Sequence, residues 1–213
     1  MDFAALLARQ DPSAFRLRRR LASLCTARHR IQLQHLAVSL GGEPTGPPAE
    51  DAARAFAELE YCGPPDSKYV RRMATFHDFD SLALWGFLTS GRYARCPSGR
   101  TLLAEGAPST ACYLTINGAV EKVLVRGNRR IRVGLAGPGR AFGYESLLDG
   151  RPSPVSAITR ERSVLLALPS ALFTQLFNGQ DAVSRGFLDV IQKELIATLR
   201  ETLRPCARLA ASV

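Results

Sequence analysis

The chain has 213 residues, of which 46% are hydrophobic and 22% charged, and its formal net charge is +9. That length allows one sizeable hydrophobic core with a helical appendage, and the apolar content is ordinary for a soluble globular protein. No apolar run approaches the roughly 18 residues that span a bilayer, and the N-terminus lacks the pattern of a signal peptide. We therefore expect a cytoplasmic protein without a membrane span.

The residues that usually carry metal binding or catalysis are scattered. The five cysteines form no C-x-x-C pair, and the three histidines lack metal-ligand spacing, so no metal site is predicted. Cys112 is expected in the core of a strand. There is no nucleophile motif, zinc-protease motif or P-loop, and Asp78 and Asp80 are better explained as helix caps. We expect no catalytic residue and no enzymatic activity.

Hydrophobic periodicity near 3.6 residues predicts an N-terminal helical segment, residues 1–75. A long helix is expected over Ser13–Leu40, followed by a Pro/Gly linker. Three further helices are predicted at about Ala49–Tyr61, Lys68–Ala74 and Asp78–Thr89.

After Gly91 the pattern changes to short strands separated by glycine, which predicts an antiparallel β-roll. The candidate strands are Thr101–Glu105, Ala111–Ile116, Ala119–Val125, Arg129–Leu135, Val155–Arg160 and Val164–Leu168. Gly127 and Asn128 suit the hairpin turn because both residues accept a positive φ. The fold class is therefore α+β: a double-stranded, jelly-roll-like β-roll between the helical segment and a C-terminal helix.

The C-terminal part predicts a capped helical region at Ser170 and a long amphipathic helix from Asp181 to about Arg204, ended by Pro205. The second domain is then expected over residues 76–213. Only eight residues follow Pro205, which leaves no room for a C-terminal DNA-reading domain.

Three sequence pieces occur in one register: Gly99–Gly106, Cys112–Val120 and Gly137–Gly143, followed by the strand that ends at Pro169. Together they resemble the phosphate-binding cassette of the cyclic nucleotide-binding domain, as in catabolite-activator-type regulators. The resemblance covers about Phe76–Arg204 and implies a stand-alone member.

The resemblance implies that a short helix after Gly143 presents backbone N–H groups to a cyclic phosphate. An acidic residue would accept from the ribose hydroxyl, and an arginine in the next loop would pair with the phosphate. Here Tyr144 stands at the acidic position and Ser153 at the arginine position, and loss of the ion pair should cost about 2–5 kcal/mol of binding. The ligand-binding residues implied are Gly143, Tyr144, Glu145, Ser146, Leu147, Ser153, Pro154, Val155 and Thr198.

The long terminal helix forms the dimer seam in such relatives and covers the base through a hydroxyl, for which Thr198 and Thr202 are candidates. The apolar positions Leu188, Ile191, Leu195 and Leu199 fit such a seam, so a homodimer is expected.

Three interpretations remain open. The first is a sensor that binds cyclic AMP, cyclic GMP, a cyclic dinucleotide or another anion, needs no cofactor, and changes the contact with a regulatory protein partner. The second is a ligand-free roll used as a protein-interaction scaffold. The third, for which a nucleic acid partner is the least expected, is a DNA-binding regulator that uses the basic first helix, with Arg18–Arg20 as its candidate contacts.

Overall fold

The computed structural model of the protein describes residues 11–45, 59–77 and 79–210. The helices are α1 (Pro12–Leu40), α2 (Ser67–Val70), a 3-10 turn (Ala74–Phe76), α3 (Ser81–Ser90), α4 (Tyr144–Asp149), α5 (Ser170–Asn178) and α6 (Ala182–Ala210). The strands are β1 (Glu60–Cys62), β2 (Arg92–Cys96), β3 (Thr101–Leu103), β4 (Ala111–Asn117), β5 (Val120–Arg126), β6 (Arg129–Ala136), β7 (Ala141–Phe142), β8 (Ser156–Thr159) and β9 (Ser163–Pro169).

The strands form two antiparallel sheets, in the orders β1-β2-β9-β4-β7 and β3-β8-β5-β6. Their facing sides bury one apolar cluster, in which the ring of Tyr113 stacks on that of Phe142 at a centroid distance of 5.2 Å. The predicted α+β class, a β-roll between N-terminal and C-terminal helices, is confirmed.

All six predicted strands are present, each with ends shifted by at most a few residues, and Cys112 lies buried in β4 as expected. Three strands were not predicted from the sequence: β1, β2 and β7. In β2 the buried residues do not alternate with the exposed ones, and β7 is only two residues long, so neither shows a period of two.

The N-terminal helices were only partly predicted. α1 matches its expected range and is capped by Asp11, whose carboxylate accepts from the backbone N–H of Ser13 at 2.7 Å. Asp80 caps α3 in the same way. The predicted Ala49–Tyr61 helix lies mostly outside the described residues, and its end belongs to β1 instead.

Three boundaries differ from the prediction. The expected Lys68–Ala74 helix is a single turn, α2, followed by the 3-10 turn. Ser170 is the first residue of α5 rather than its cap. Pro205 lies inside α6, which continues to Ala210, so this proline removes one N–H donor without ending the helix.

Helix α1 packs along α6, and the two run parallel. Near its start Arg18 contacts Asp189 and Gln192, and near its middle His29 contacts Thr202. Beyond His29 its apolar residues pack on the roll, in one cluster made of Leu33, Leu36, Leu40, Leu124, Val133 and Val155. The first helix is therefore part of the folded unit that surrounds the cassette. The division into domains at residues 75 and 76 stays a prediction.

Candidate functional site

The predicted cassette consists of Gly143, helix α4 and the loop that leads to β8. Gly143 has a φ of +80°, and a Cβ there would lie 3.0 Å from the carbonyl oxygen of Ala111 and 3.1 Å from Leu103. Both the positive φ and the lack of space require glycine. The chain can therefore turn sharply from β7 into α4.

Tyr144 points into the protein core and is fully buried. Its hydroxyl donates to Thr198 Oγ1 on α6 at 3.1 Å. Burial, with the nearby Glu145 and Glu194 carboxylates, raises the pKa of Tyr144 well above its usual value. The phenol is neutral and ties α4 to α6.

Thr198 is the centre of a buried polar network between the roll and α6. Its hydroxyl also accepts from Lys122 Nζ at 2.9 Å and donates to Glu194 Oε1 at 2.9 Å. Glu194 is held in turn by Arg140, whose guanidinium contacts its two carboxylate oxygens at 2.6 and 2.9 Å. Burial disfavours the charge on Arg140, but its hydrogen bonds to Glu194 and Glu201 outweigh that effect and raise its pKa.

Glu145, the next residue of α4, faces His29 of α1. Glu145 Oε1 lies 3.6 Å from His29 Nδ1, and both side chains are buried. Burial is the largest cause that raises the pKa of Glu145. Burial, then Lys122 and Arg30, lowers the pKa of His29 to about 3. The contact therefore joins a neutral imidazole to a carboxyl group that is hard to ionise, rather than two full charges.

The hydrogen bonds assign the histidine tautomer. Thr202 Oγ1 donates to the carbonyl of Thr198 at 2.9 Å, so it accepts from His29 Nε2 at 3.1 Å. His29 Nδ1 is then an acceptor. Among the described residues, His29 Nδ1, Glu145 Oε1 and Ser146 Oγ have no hydrogen-bond partner, although all three atoms are buried.

Arg30, next to that histidine, binds the end of the cassette. Its guanidinium contacts both carboxylate oxygens of Asp149 at 2.5 and 2.8 Å and the carbonyl of Pro152 at 2.8 Å. The cassette loop therefore receives a cation from α1, close to Ser153, where the resemblance had implied an arginine.

Ser153 is buried, and its polar atoms are used within the chain. Its N–H donates to the carbonyl of Ala107 at 2.7 Å, its carbonyl accepts from Gly106, and its hydroxyl donates to the carbonyl of Val155 at 2.8 Å. The predicted phosphate-binding hydroxyl is thus engaged with the backbone in this conformation.

A cavity of about 390 Å³ opens between α1 and the cassette loop. Pro154 lines it together with Arg30, Arg126 and Arg151. Arg126 is paired with Glu105 at 2.6 and 2.8 Å. The exposed guanidinium of Arg151 makes no hydrogen bond or ion pair with the part of the chain that the structure describes.

The structure brings most of the predicted site residues together. Gly143 to Leu147 form the turn and α4, Ser153 to Val155 form the adjoining loop, and Thr198 reaches Tyr144 from α6. Four residues that complete the site from three distant elements were not predicted from the sequence: His29, Arg30, Lys122 and Glu194. In the sequence, the arginines of α1 had been considered only as contacts of a DNA-binding regulator, so nothing singled out two residues of this helix for the cassette.

Residues 94–180 match the family model of the cyclic nucleotide-binding domain. Among solved structures, the chain is similar to a cyclic nucleotide-binding domain from Methylobacillus flagellatus KT, with 20% identity over 74% of this chain and 91% of that one and a TM-score of 0.60. It is also similar to the c-di-GMP responsive global regulator CLP of Xanthomonas campestris, with 26% identity and a TM-score of 0.55 over 62% of this chain. The match spans 65% of that regulator, slightly less than two thirds. No curated protein sequence matches the chain.

Over the described residues, no helix is both long and apolar enough to cross a membrane.

Proposed function

Because residues 94–180 match the family model of the cyclic nucleotide-binding domain, we propose that this protein is a cytoplasmic, non-enzymatic regulator that senses a cyclic nucleotide or a related anion. The ligand classes are cyclic AMP, cyclic GMP and cyclic dinucleotides. Binding takes place at the cassette, between α4, the loop at Ser153 and the inner side of α1. The response is a change in the position of α1, and with it a change in a contact with a protein partner.

One observation supports binding above the others: three buried polar atoms on α4 and on the facing part of α1 have no hydrogen-bond partner among the described residues. Glu145 Oε1, Ser146 Oγ and His29 Nδ1 lack hydrogen-bond partners among the described residues, and an unsatisfied buried polar group costs roughly 1–3 kcal/mol. A sugar hydroxyl near α4 would satisfy such atoms. Glu145 is one residue beyond the position where the resemblance implies the ribose-binding carboxylate.

The phosphate would be stabilised by arginines that come from elsewhere than position 153. Arg126 and Arg151 line the cavity beside the loop, and Arg30 already lies on the loop carbonyls. A guanidinium in a partly dry cavity forms strong charge-assisted hydrogen bonds with phosphate. Because Arg30 now binds Asp149, a ligand that recruits it must weaken the hold of α1 on the cassette.

The test is a thermal melt of the full chain with each cyclic mononucleotide and dinucleotide. A true ligand at a hundredfold excess over its Kd should stabilise the fold by about 2.7 kcal/mol. Gly143→Val should abolish this shift, because the cassette turn requires a positive φ and has no room for a Cβ. Gly99→Val is the matched control: Gly99 has a φ of +79°, but nothing lies near its Cβ position.

The scaffold alternative also has a specific observation in its favour. The side chains at the two altered positions are satisfied internally, Tyr144 by Thr198 and Ser153 by Val155. If none of the cyclic nucleotides shifts the melting temperature, the sensor proposal fails and the ligand-free scaffold is favoured.

The DNA-binding alternative depends on the arginines of α1. Four of them have partners within the chain: Arg18 contacts Asp189 and Gln192, and Arg30 contacts Asp149. Arg16 donates to the Ser13 hydroxyl, and Arg19 donates to the carbonyl of Asn178. Salt-sensitive duplex binding that is lost when Arg18, Arg19 and Arg20 are neutralised would support this alternative.

The homodimer stays a proposal, and it requires that buried residues of α6 become exposed. Leu188, Ile191 and Leu195 of α6 are almost fully buried within one chain. A dimer seam on these residues therefore requires rearrangement of the elements that now cover α6, which are the 3-10 turn, α3, α5 and the roll as well as α1. We propose that ligand-dependent movement of α1 is one part of that rearrangement.

A further inference from the structure

Helix α1 carries a second apolar face, opposite the one that packs on the protein. This face, the outer stripe, consists of Leu17, Leu21, Leu24, Ile31 and Val38, which are between 44% and 77% exposed. The inner face is made of different residues, among them Phe15, Leu33 and Leu36, and it is buried. A helix that only covered a globular core would place polar residues on its outer side.

The spacing of the outer stripe is that of a helix–helix seam. Successive members lie four, three, seven and seven residues apart, and with Arg28 and His35 included the steps alternate between four and three over residues 17–38. This is the a/d pattern of a heptad repeat, and it extends for about 30 Å at 1.5 Å per residue. The stripe is therefore narrow, straight and long enough for about three heptads of a partner helix.

The charge of α1 indicates which kind of partner helix can pack on the outer stripe. The range from Pro12 to Leu40 contains no aspartate or glutamate, and three of its arginines, Arg16, Arg20 and Arg28, are exposed beside or within the stripe. A second copy of this helix would place like charges together, including Arg28 inside the seam, which is unfavourable. An acidic partner would instead neutralise these arginines.

A lipid surface fits the stripe less well. Arg28 and His35 interrupt it, and no aromatic residue lies on it, whereas interfacial helices present a wide apolar face that is often rich in Trp and Phe. Nucleic acid would leave the leucines without contacts.

We propose that the outer stripe of α1 docks an acidic amphipathic helix of a partner protein, with leucine-type residues in the seam and a carboxylate opposite Arg28. The proposal does not depend on the cassette, since the stripe faces away from it. If the cassette binds a ligand as proposed above, movement of α1 would also move this docking surface.

The test uses a synthetic acidic peptide of about three heptads, with Leu at a and d, Glu at e and g, and one Glu at the a position that faces Arg28. Its fluorescence anisotropy is titrated with the full chain, beside a peptide in which Lys replaces each Glu. We expect the acidic peptide to bind at least about tenfold more tightly than the basic one. Equal binding, or no binding of the acidic peptide, overturns the proposal.

Variants of the chain locate the surface. Leu24→Ser with Ile31→Ser should weaken binding by about tenfold or more, because central apolar contacts dominate such seams. Leu82→Ser is the matched control, since Leu82 is 81% exposed on α3 and should leave affinity unchanged. If the stripe variant binds as tightly as the unchanged chain, the docking site is elsewhere and the proposal fails.

Charge reversal distinguishes charge-specific binding of the acidic peptide from non-specific hydrophobic binding. Arg16→Glu, Arg20→Glu and Arg28→Glu together should invert the preference in favour of the basic peptide. All of these side chains are exposed, and thermal melts check that the variants fold. The assignment is overturned if the chain binds duplex DNA, or vesicles of phosphatidylcholine and phosphatidylglycerol, more tightly than the acidic peptide. It is also overturned if sedimentation shows self-association of the chain that the stripe substitutions abolish.

Discussion

The buried polar side chains at the cassette differ in how far their hydrogen-bonding groups are satisfied. Thr198 uses its full hydrogen-bonding capacity: it accepts from Lys122 and Tyr144 and donates to Glu194. His29 and Glu145, by contrast, retain unsatisfied atoms. The hydrogen bonds of Thr198 stabilise the position of α6 against the roll. The unsatisfied atoms of His29 and Glu145 are hydrogen-bonding groups that a ligand could use.

Thr198→Val keeps the shape of the side chain but removes its hydroxyl. The Lys122 ammonium and the Tyr144 hydroxyl then lose a buried partner, which should cost about 2–4 kcal/mol of unfolding free energy. Urea denaturation measures this loss. Thr89→Val, at an exposed threonine of α3, should change stability by less than about 0.5 kcal/mol. Equal effects of the two substitutions would contradict the buried network.

The pH dependence of stability should report His29. Its pKa is lowered to about 3 in the folded protein from an ordinary value of 6.5, mainly by burial, with Lys122 and Arg30 facing it as well. The unfolded chain therefore binds the proton first, and stability contributed by neutral His29 is lost as pH falls from about 6.5 toward 3. Glu145 acts in the opposite direction, since its raised pKa adds stability at low pH that is lost as pH rises.

His29→Gln removes the histidine contribution only. Between pH 6 and 5, the fall in unfolding free energy should become shallower by up to about 1.4 kcal/mol per pH unit, the effect of one proton. The unchanged protein is the reference for this slope. Identical slopes for the His29 variant and the unchanged protein, in urea denaturation series, would show that His29 is not buried in its neutral form.

At the scale of elements, α1 is a structural part of the molecule and not only a basic appendage. Leu36 is 1% exposed against the roll, whereas Val38 on the same turn is 77% exposed. Arg30 and Arg18 add polar contacts to the cassette loop and to α6. Both apolar packing and paired charges therefore keep this helix in place.

Leu36→Ala should cost about 2–5 kcal/mol of unfolding free energy, because it opens a cavity between α1 and the roll. Val38→Ala is the matched control on the outer stripe and should cost less than about 0.5 kcal/mol. If urea denaturation gives similar values for both, α1 does not pack on the roll as described.

At the scale of the whole molecule, α1 connects the two regions that a sensor needs to couple. Its middle contacts α4 and the cassette loop through His29 and Arg30, and its first half binds α6 through Arg18. A ligand that weakens the contacts of α1 with the cassette would also change the stability of its contacts with α6. The ligand would then bind the two positions of α1 with different affinity, which any conformational response requires.

Removing both sets of charged contacts should release α1. For Arg18→Ala with Arg30→Ala, we expect faster hydrogen exchange in α1 and a concentration-dependent rise in sedimentation coefficient above that of the unaltered protein. Arg16→Ala with Arg28→Ala changes exposed residues of the same helix and should behave as the unaltered protein. Unchanged exchange and an unchanged sedimentation coefficient in the first variant would refute the proposed coupling.

The sequence by itself was enough to determine the roll. Alternating strands, glycines at tight turns and the register of Gly99–Gly106, Cys112–Val120 and Gly137–Gly143 are local properties, so they identify the β-roll and the place of the cassette. Gly143 belongs to this group, since its positive φ is a demand of its own turn.

Only the tertiary structure decided what completes the cassette. Arg30 lies 119 residues from Asp149 in sequence, and His29 lies 173 from Thr202. No local pattern encodes such pairs, because burial of a polar residue depends on which distant surface meets it. The same is true of the seam on α6: its apolar spacing is visible in the sequence, but the structure shows that Ile191 and Leu195 are already buried within the chain.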